Sequence, residues 1–213
     1  MRMRKPPDVV IRRLAMYLRL LEEHEYYLGQ YISSHELGEL AGVTSAQIRK
    51  DLDMFGEFGK QGVGYPVREL KRQLIHILKV DRPSNIAIIG IGELGSAFAR
   101  YLTRDPAGRK GEGASAFRVA ALLDVDPGKV GQSVAGLPIY HLDDLEARVK
   151  EMDIKIALLT VPAPVAQSVL DRGIEAGIRL FINFAPVRLK APEDVIVNHA
   201  DVSLELHQLG YYL

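Results

Sequence analysis

Six residues, Gly90-Ile91-Gly92-Glu93-Leu94-Gly95, carry the clearest chemistry in this chain: a glycine loop able to hold a diphosphate. The apolar run Ile86-Ala87-Ile88-Ile89 precedes it, and a helical stretch at 96–102 follows, which is the setting such a loop needs. There Gly90 makes the tight turn, Gly92 lets the backbone approach a pyrophosphate, and Gly95 allows helix and strand to pack closely. Phosphate oxygens then meet the unpaired N–H groups and positive end of the helix. Asp124 ends the next apolar run and is placed to accept hydrogen bonds from an adenosine ribose. It comes later than the usual spacing of about 20 residues. A polar, Gly-rich insertion at 105–116 accounts for the delay. In Asp124-Val125-Asp126 two carboxylates stand with no arginine beside them, so a 2′-phosphate is repelled and NAD(H) is favoured over NADP(H). Lys129 is near enough in sequence to reach back and soften that preference.

The segments expected to border the nicotinamide end are Thr160-Val161-Pro162-Ala163-Pro164 and Asn183-Phe184-Ala185-Pro186. Hydride-transferring enzymes place a proton donor there. These segments are short of acid–base groups. Asn183 can only hydrogen-bond, and Phe184 can stack on the ring or wall it off. The cofactor contacts expected here are Thr160, Pro162, Asn183, Phe184, Ala185 and Pro186. His141 precedes a helix start, His199 and His207 lie in the C-terminal region, and none is read as following a core strand. No residue is therefore assigned to catalysis. Three readings stand: a sensor, an NAD-dependent dehydrogenase with an appended interaction domain, and a scaffold that keeps NAD as a structural cofactor.

From Asn85 strand and helix alternate, with strands expected at 86–89, 119–123, 156–161 and 180–184. That is an α/β domain with a doubly wound parallel sheet. Ahead of it, Val10, Leu14, Leu18 and Leu21 mark one helix. Tyr26 to Tyr31 reads as a break. Ser33-x-x-Glu36 is a capping box opening a short helix through Ala41, and Thr44-x-x-Gln47 opens another almost at once as a second capping box. So tight a joint between helices is the signature of a helix-turn-helix DNA reader. On the second helix Ile48, Leu52 and Phe55 face inward, and Ala46, Lys50 and Asp53 point away. The glycines from Gly56 to Gly64 suit a hairpin wing with Lys60 and Gln61 near its tip. Ser45, Ala46, Gln47, Arg49 and Lys50 are the candidate DNA contacts on the helix, and Lys60 and Gln61 those on the wing. Which of them touches a base is left open. Asp81-Arg82-Pro83-Ser84 reads as a linker. In the tail, Val202, Leu206, Leu209 and Leu213 form an apolar stripe that docks on its own domain or on a partner.

The 213 residues suit two modest domains. Lys+Arg and Asp+Glu balance at 27 each, with a slight basic excess in the first 80 residues. That permits a local nucleic-acid surface without proving one. With no cysteine, disulfides, cysteine nucleophiles and thiolate metal sites are excluded, and no metal is expected. No stretch reads as a secretory leader or a membrane span, so the expectation is a cytoplasmic protein without a membrane partner.

The sequence strongly resembles the Rex family of redox-sensing transcriptional repressors. The resemblance is carried by Tyr31-Ile32-Ser33-Ser34-x-Glu36-Leu37, by Ser45-Ala46-Gln47-Ile48-Arg49-Lys50-Asp51-Leu52 and by the wing Phe55-Gly56-Glu57-Phe58-Gly59-Lys60-Gln61-Gly62-Val63-Gly64-Tyr65. It continues through the glycine loop, Asn183-Phe184-Ala185-Pro186-Val187 and Asp201-Val202-Ser203-Leu204-Glu205-Leu206. The resemblance implies a homodimer that exchanges its C-terminal helix. It also implies a palindromic double-stranded DNA operator bound in the presence of NAD+ and released by NADH. The expected organisation is a winged-helix domain at 1–80, a Rossmann NAD(H)-binding domain at 81–195 and a C-terminal segment with the exchanged helix at 196–213.

Overall fold

The computed structural model describes residues 6–24, 29–60, 62–103 and 116–213. Gln61, the break at Tyr26 and the insertion at 105–116, apart from Ala116, lie outside the described residues. The chain divides into two compact units, the first ending at Arg82 and the second beginning at Pro83.

The first unit contains α1 (Asp8–Glu23), β1 (Tyr31–Ile32), α2 (Ser34–Ala41), α3 (Ser45–Asp53), β2 (Tyr65–Pro66) and α4 (Val67–Leu78). Its core is made by Leu14, Tyr17 and Leu21 of α1, Leu37 of α2, Ile48 and Leu52 of α3, and Leu70 and Leu74 of α4, all without exposed area. The capping box of α2 is complete: Glu36 N–H donates to Ser33 Oγ at 3.1 Å, and Ser33 N–H donates to Glu36 Oε2 at 2.7 Å. The second box forms only in part. Thr44 Oγ1 accepts from Gln47 N–H at 3.2 Å, but the Gln47 side chain turns to Asp51 instead of returning to the cap. The wing also differs from a simple hairpin. Lys60 and Gly64 bridge across its tight turn, while β2 pairs antiparallel with β1, which precedes α2. Tyr31, read from sequence as part of a break, is in that strand.

The second unit contains β3 (Ser84–Ile89), α5 (Glu93–Thr103), β4 (Phe117–Asp124), β5 (Ser133–Val134), β6 (Leu137–His141), α6 (Leu145–Glu151), β7 (Ile154–Leu159), α7 (Ala163–Glu175), β8 (Leu180–Asn183), β9 (Ile196–His199) and α8 (Val202–Gly210). Among the described residues the sheet order is β5-β6-β4-β3-β7-β8-β9, with only the β5–β6 pair antiparallel. Counted along the chain, the six parallel strands read 3-2-1-4-5-6, the order of a Rossmann sheet. Alternation in β3 supplies both faces. Ala87 and Ile89 join Leu145, Leu159, Leu170 and Phe181 on one side, and Ile86 and Ile88 join Ala99, Leu122 and Leu158 on the other. Ser84, expected in the linker, starts β3. Ile196–His199, expected in the C-terminal segment, adds a parallel edge strand, so the sheet extends past 195. The sequence signal missed β9 because an edge strand exposed at alternate residues shows no continuous apolar run. No described helix is long and apolar enough to cross a membrane, and no described cluster of His, Asp and Glu could hold a metal ion.

Candidate functional site

In an open parallel sheet, ligands bind beyond the carboxyl ends of the strands, where the strand order reverses. Here that point lies between β3 and β7, and the glycine loop sits on it. Gly90 has φ +96°, and a Cβ there would come within 2.7 Å of Val161 Cγ1 and 2.8 Å of the Thr160 carbonyl oxygen. A Cβ on Gly95 would fall on the Gly90 carbonyl oxygen. Gly92 is different: nothing lies within 4 Å of where its Cβ would be. The crowded glycines close the loop on the sheet, and the open one leaves backbone exposed at the start of α5. That is the cradle a dinucleotide diphosphate requires. Glu93 and Leu94 are exposed beside it, and Ile91 is buried.

Thr160 acts on the loop itself. Its hydroxyl lies 2.7 Å from the Gly90 carbonyl oxygen and 3.1 Å from that of Ile89, donating to the loop backbone. Replacing Gly95 by alanine should therefore open this clasp. Overpacking of about 1–3 kcal/mol corresponds to a loss of dinucleotide affinity of roughly 5- to 150-fold. Fluorescence titration with NADH checks this, with circular dichroism to confirm the fold. Unchanged affinity would show that the loop tolerates a Cβ.

Asp124 ends β4 and is 7% exposed. Its Oδ2 accepts from Ile91 N–H at 2.7 Å and from Lys129 Nζ at 3.1 Å, and its Oδ1 accepts from Asp126 N–H at 2.9 Å. Burial acts to raise its pKa, but hydrogen bonds from Asp126, Lys129 and Ile91 together hold the carboxyl below its ordinary value. The carboxylate is charged, tied to the glycine loop, and keeps acceptor capacity on Oδ1. Lys129 does reach back, and it also lies 3.8 Å from Asp126. Val125 is exposed alongside.

The Asn183–Pro186 segment is organised differently from the sequence expectation. Asn183 is 1% exposed. Its Nδ2 lies 3.0 Å from the Ala185 carbonyl oxygen and 2.9 Å from that of Val187, while its Oδ1 accepts from Ala185 N–H at 3.0 Å. Expected as a cofactor contact, its amide is taken up in shaping the turn. Ala185 is buried within that turn, and Pro186 is exposed. Phe184 packs against Phe98 of α5, ring centroids 4.5 Å apart, a partner that the motif reading did not include. Helical spacing after the glycine loop was the available signal, since Phe98 lies one turn beyond Gly95. His199, placed by sequence in the tail, closes β9 with Nδ1 3.2 Å from Asn183 Nδ2. Pro162 is exposed at the entry to α7.

In the first unit, Ala46, Arg49, Lys50 and Lys60 are exposed, while Ser45 and Gln47 are partly buried. Arg49 Nη1 donates to Ser34 Oγ at 2.8 Å, which ties α3 to α2. Asp51, on the inner face of α3, has no exposed area. It accepts from Arg13 Nε at 2.5 Å, Arg13 Nη2 at 2.7 Å, Tyr17 Oη at 2.8 Å and Gln47 Nε2 at 2.6 Å. Burial would raise its pKa; bonds from Arg13, Tyr17 and Gln47 outweigh that and keep it low. Burial, and then the bond to Asp51, push the Tyr17 pKa up, so its hydroxyl remains a donor. The network was not anticipated, because Arg13 and Tyr17 lie a whole helix away in sequence.

A family model described as a CoA binding domain matches residues 81–187, and one described as "Putative DNA-binding protein N-terminus" matches residues 5–53. A redox-sensing transcriptional repressor Rex from Roseiflexus sp. is 42% identical, covering 100% of this chain and 93% of that protein. One from Thermus thermophilus is 46% identical over 97% of this chain and 93% of its own length. The crystal structure of RSP in complex with β-NAD+ and operator DNA matches with a TM-score of 0.88 at 37% identity, over 98% of this chain and 93% of that one. RSP in complex with β-NADH matches with a TM-score of 0.83 at 35% identity, over 98% of this chain and 94% of that one. With both units covered at this level of identity, the chain belongs to the Rex family of redox-sensing transcriptional repressors, which regulate transcription and are not enzymes.

Proposed function

We propose that this protein binds a palindromic operator as a homodimer and leaves it when NADH binds, so that transcription follows the NADH:NAD+ ratio. The observation that carries the reading is one chain holding both an open glycine cradle at the reversal point of a Rossmann sheet and a capped helix-turn-helix with basic side chains exposed on its second helix. The RSP structures, with β-NAD+ and operator DNA and with β-NADH, give the same pair of ligands for a relative of the same fold.

In this reading the backbone from Gly90 to Gly95 holds the diphosphate, and Asp124 Oδ1 takes a ribose hydroxyl with Val125 and Lys129 beside it. Thr160, Pro162, Asn183 and Ala185 shape the nicotinamide end, where Phe184 and Pro186 present apolar surface. When bound, the dinucleotide supplies a ring that is cationic in NAD+ and neutral in NADH. Ser45, Ala46, Gln47, Arg49 and Lys50 face the major groove, and Lys60 and Gln61 reach phosphate or minor groove from the wing. Residues 1–80 form the reader, residues 81–195 the cofactor domain, and residues 196–213 the dimerisation segment, whose first strand completes the sheet. The same reading places the protein in the cytoplasm with its operator.

The dimer is supported by α8. Its Val202, Leu204, Leu206 and Leu209 are 55–69% exposed, and no residue of the helix is buried. An apolar helix left uncovered by its own chain fits docking on a second copy. The test is a mobility shift with a selected operator duplex. Micromolar NADH should release the duplex and NAD+ should not; equal release by both ends the sensor reading. Deleting 201–213 should abolish dimerisation and lower operator affinity together, because one winged helix buries too little surface for tight specific binding. A monomeric truncated chain with full operator affinity would refute the dimer reading.

A further inference from the structure

Asp51 and Gln47 form a device that the proposed operator reading does not by itself require. The Asp51 carboxylate has no exposed area, and each of its oxygens accepts two hydrogen bonds: Arg13 Nε and Tyr17 Oη at Oδ2, Arg13 Nη2 and Gln47 Nε2 at Oδ1. Those four bonds fill its lone-pair sites. An ionised carboxylate has nothing to donate, so Gln47 can face it only with its NH2 group. The reversed amide would set Gln47 Oε1 against a negative oxygen. The ordinary freedom of a glutamine amide to turn over is thereby removed, and at 2.6 Å the charge-assisted bond is a short one.

The position of Gln47 gives this consequence. It is the third residue of α3, within the first turn, where recognition helices of this architecture contact base edges. Ala46, Arg49 and Lys50 around it are exposed. Gln47 itself is partly buried, its NH2 end drawn inward to Asp51. Nε2 keeps a second N–H, and the amide's one acceptor, the carbonyl oxygen, is held on the side away from Asp51, free for an outside donor. In the major groove the complementary groups are the N6 amine of adenine and the N4 amine of cytosine. Guanine O6 and thymine O4 would confront Oε1 with another acceptor.

We infer that Gln47 is a specificity-determining residue that reads an exocyclic amine in each half-site, with Asp51, Arg13 and Tyr17 as the positioning residues that fix its amide. This inference rests on the reading of α3 as the operator-facing helix, and the experiment separates the two. The full-length protein first selects an operator from a random duplex pool. Each adenine or cytosine of one half-site, and its symmetry mate, is then replaced by purine or pyrimidin-2-one, which lack the amine. At one position the wild-type protein should lose about 5-fold or more in affinity, while Gln47→Ala should bind the natural and amine-free duplexes equally. At that position Asp51→Asn, which can donate to Gln47 and so permits the reversed amide, should newly accept thymine or guanine. Circular dichroism reports whether that variant folds, and the Gln47→Ala comparison decides the matter if it does not. Failure to enrich any sequence overturns the operator reading and this inference with it. An enriched operator whose amine deletions affect wild type and Gln47→Ala alike overturns this inference alone.

Discussion

Replacing Asp51 by alanine should destabilise the N-terminal unit by about 3 kcal/mol, the lower end of the usual 3–5 kcal/mol for breaking a buried ion pair. The loss arises on the side of the partners. Tyr17 has no exposed area, and its hydroxyl would be left without an acceptor. Arg13 would keep its charge without a counter-ion. Its side chain is 20% exposed, so water recovers part of the lost interaction, which is why the lower figure is expected. Hydrogen exchange of amides in α1 and α3 is the suitable measurement, because a two-unit chain need not unfold in one step. Protection unchanged in both helices would show that the network contributes little to the unit's stability.

The same carboxylate sets a pH dependence. The folded pKa of Asp51 is below its ordinary value of 3.8, so the unfolded chain takes up its proton at higher pH than the folded one. The stabilisation is fully present above about pH 3.8 and disappears as pH falls through the lower, folded value. Asp124, also lowered, makes the second unit acid-sensitive in the same sense.

Saturating operator should weaken NADH binding 5- to 150-fold, a coupling of about 1–3 kcal/mol. NAD+ and NADH share every contact of the adenosine and diphosphate, so the glycine loop and Asp124 cannot tell them apart. The difference is at the ring, where a cation becomes neutral. Phe184, packed on Phe98, gives that end of the crevice apolar surface. Burying an unpaired cation there costs more than burying a neutral ring. On the proposed reading, NADH then favours a dimer state whose two readers no longer match the half-site spacing. By linkage, DNA must weaken NADH by the factor by which NADH weakens DNA. Isothermal titration with NADH, with and without saturating operator duplex, measures this. Equal affinities would refute the coupling, however well each ligand binds alone.

The features legible in the sequence are those determined over short stretches. The glycine loop needs a strand, three glycines and a helix start within ten residues, 86–95. The Ser33–Glu36 cap closes within four. The core strands β3, β4, β7 and β8 announced themselves as apolar runs because both faces of a central parallel strand are buried. The outer strands β5, β6 and β9 carry no such signal for the converse reason, being short and largely without the two buried faces of the central strands.

Tertiary structure decided which functional groups remain available. Sequence named Thr160, Asn183 and Gln47 as contacts for ligands, and folding gave each a protein partner: Thr160 on the Gly90 carbonyl, Asn183 on its own turn and His199, and Gln47 on Asp51. It also brought Lys129 onto Asp124, Phe98 onto Phe184, and Arg13 and Tyr17 onto Asp51. Residue type determines which hydrogen bonds a side chain can make. Which partner it meets depends on strand order and helix packing, and those bring together residues that no local pattern in the chain connects.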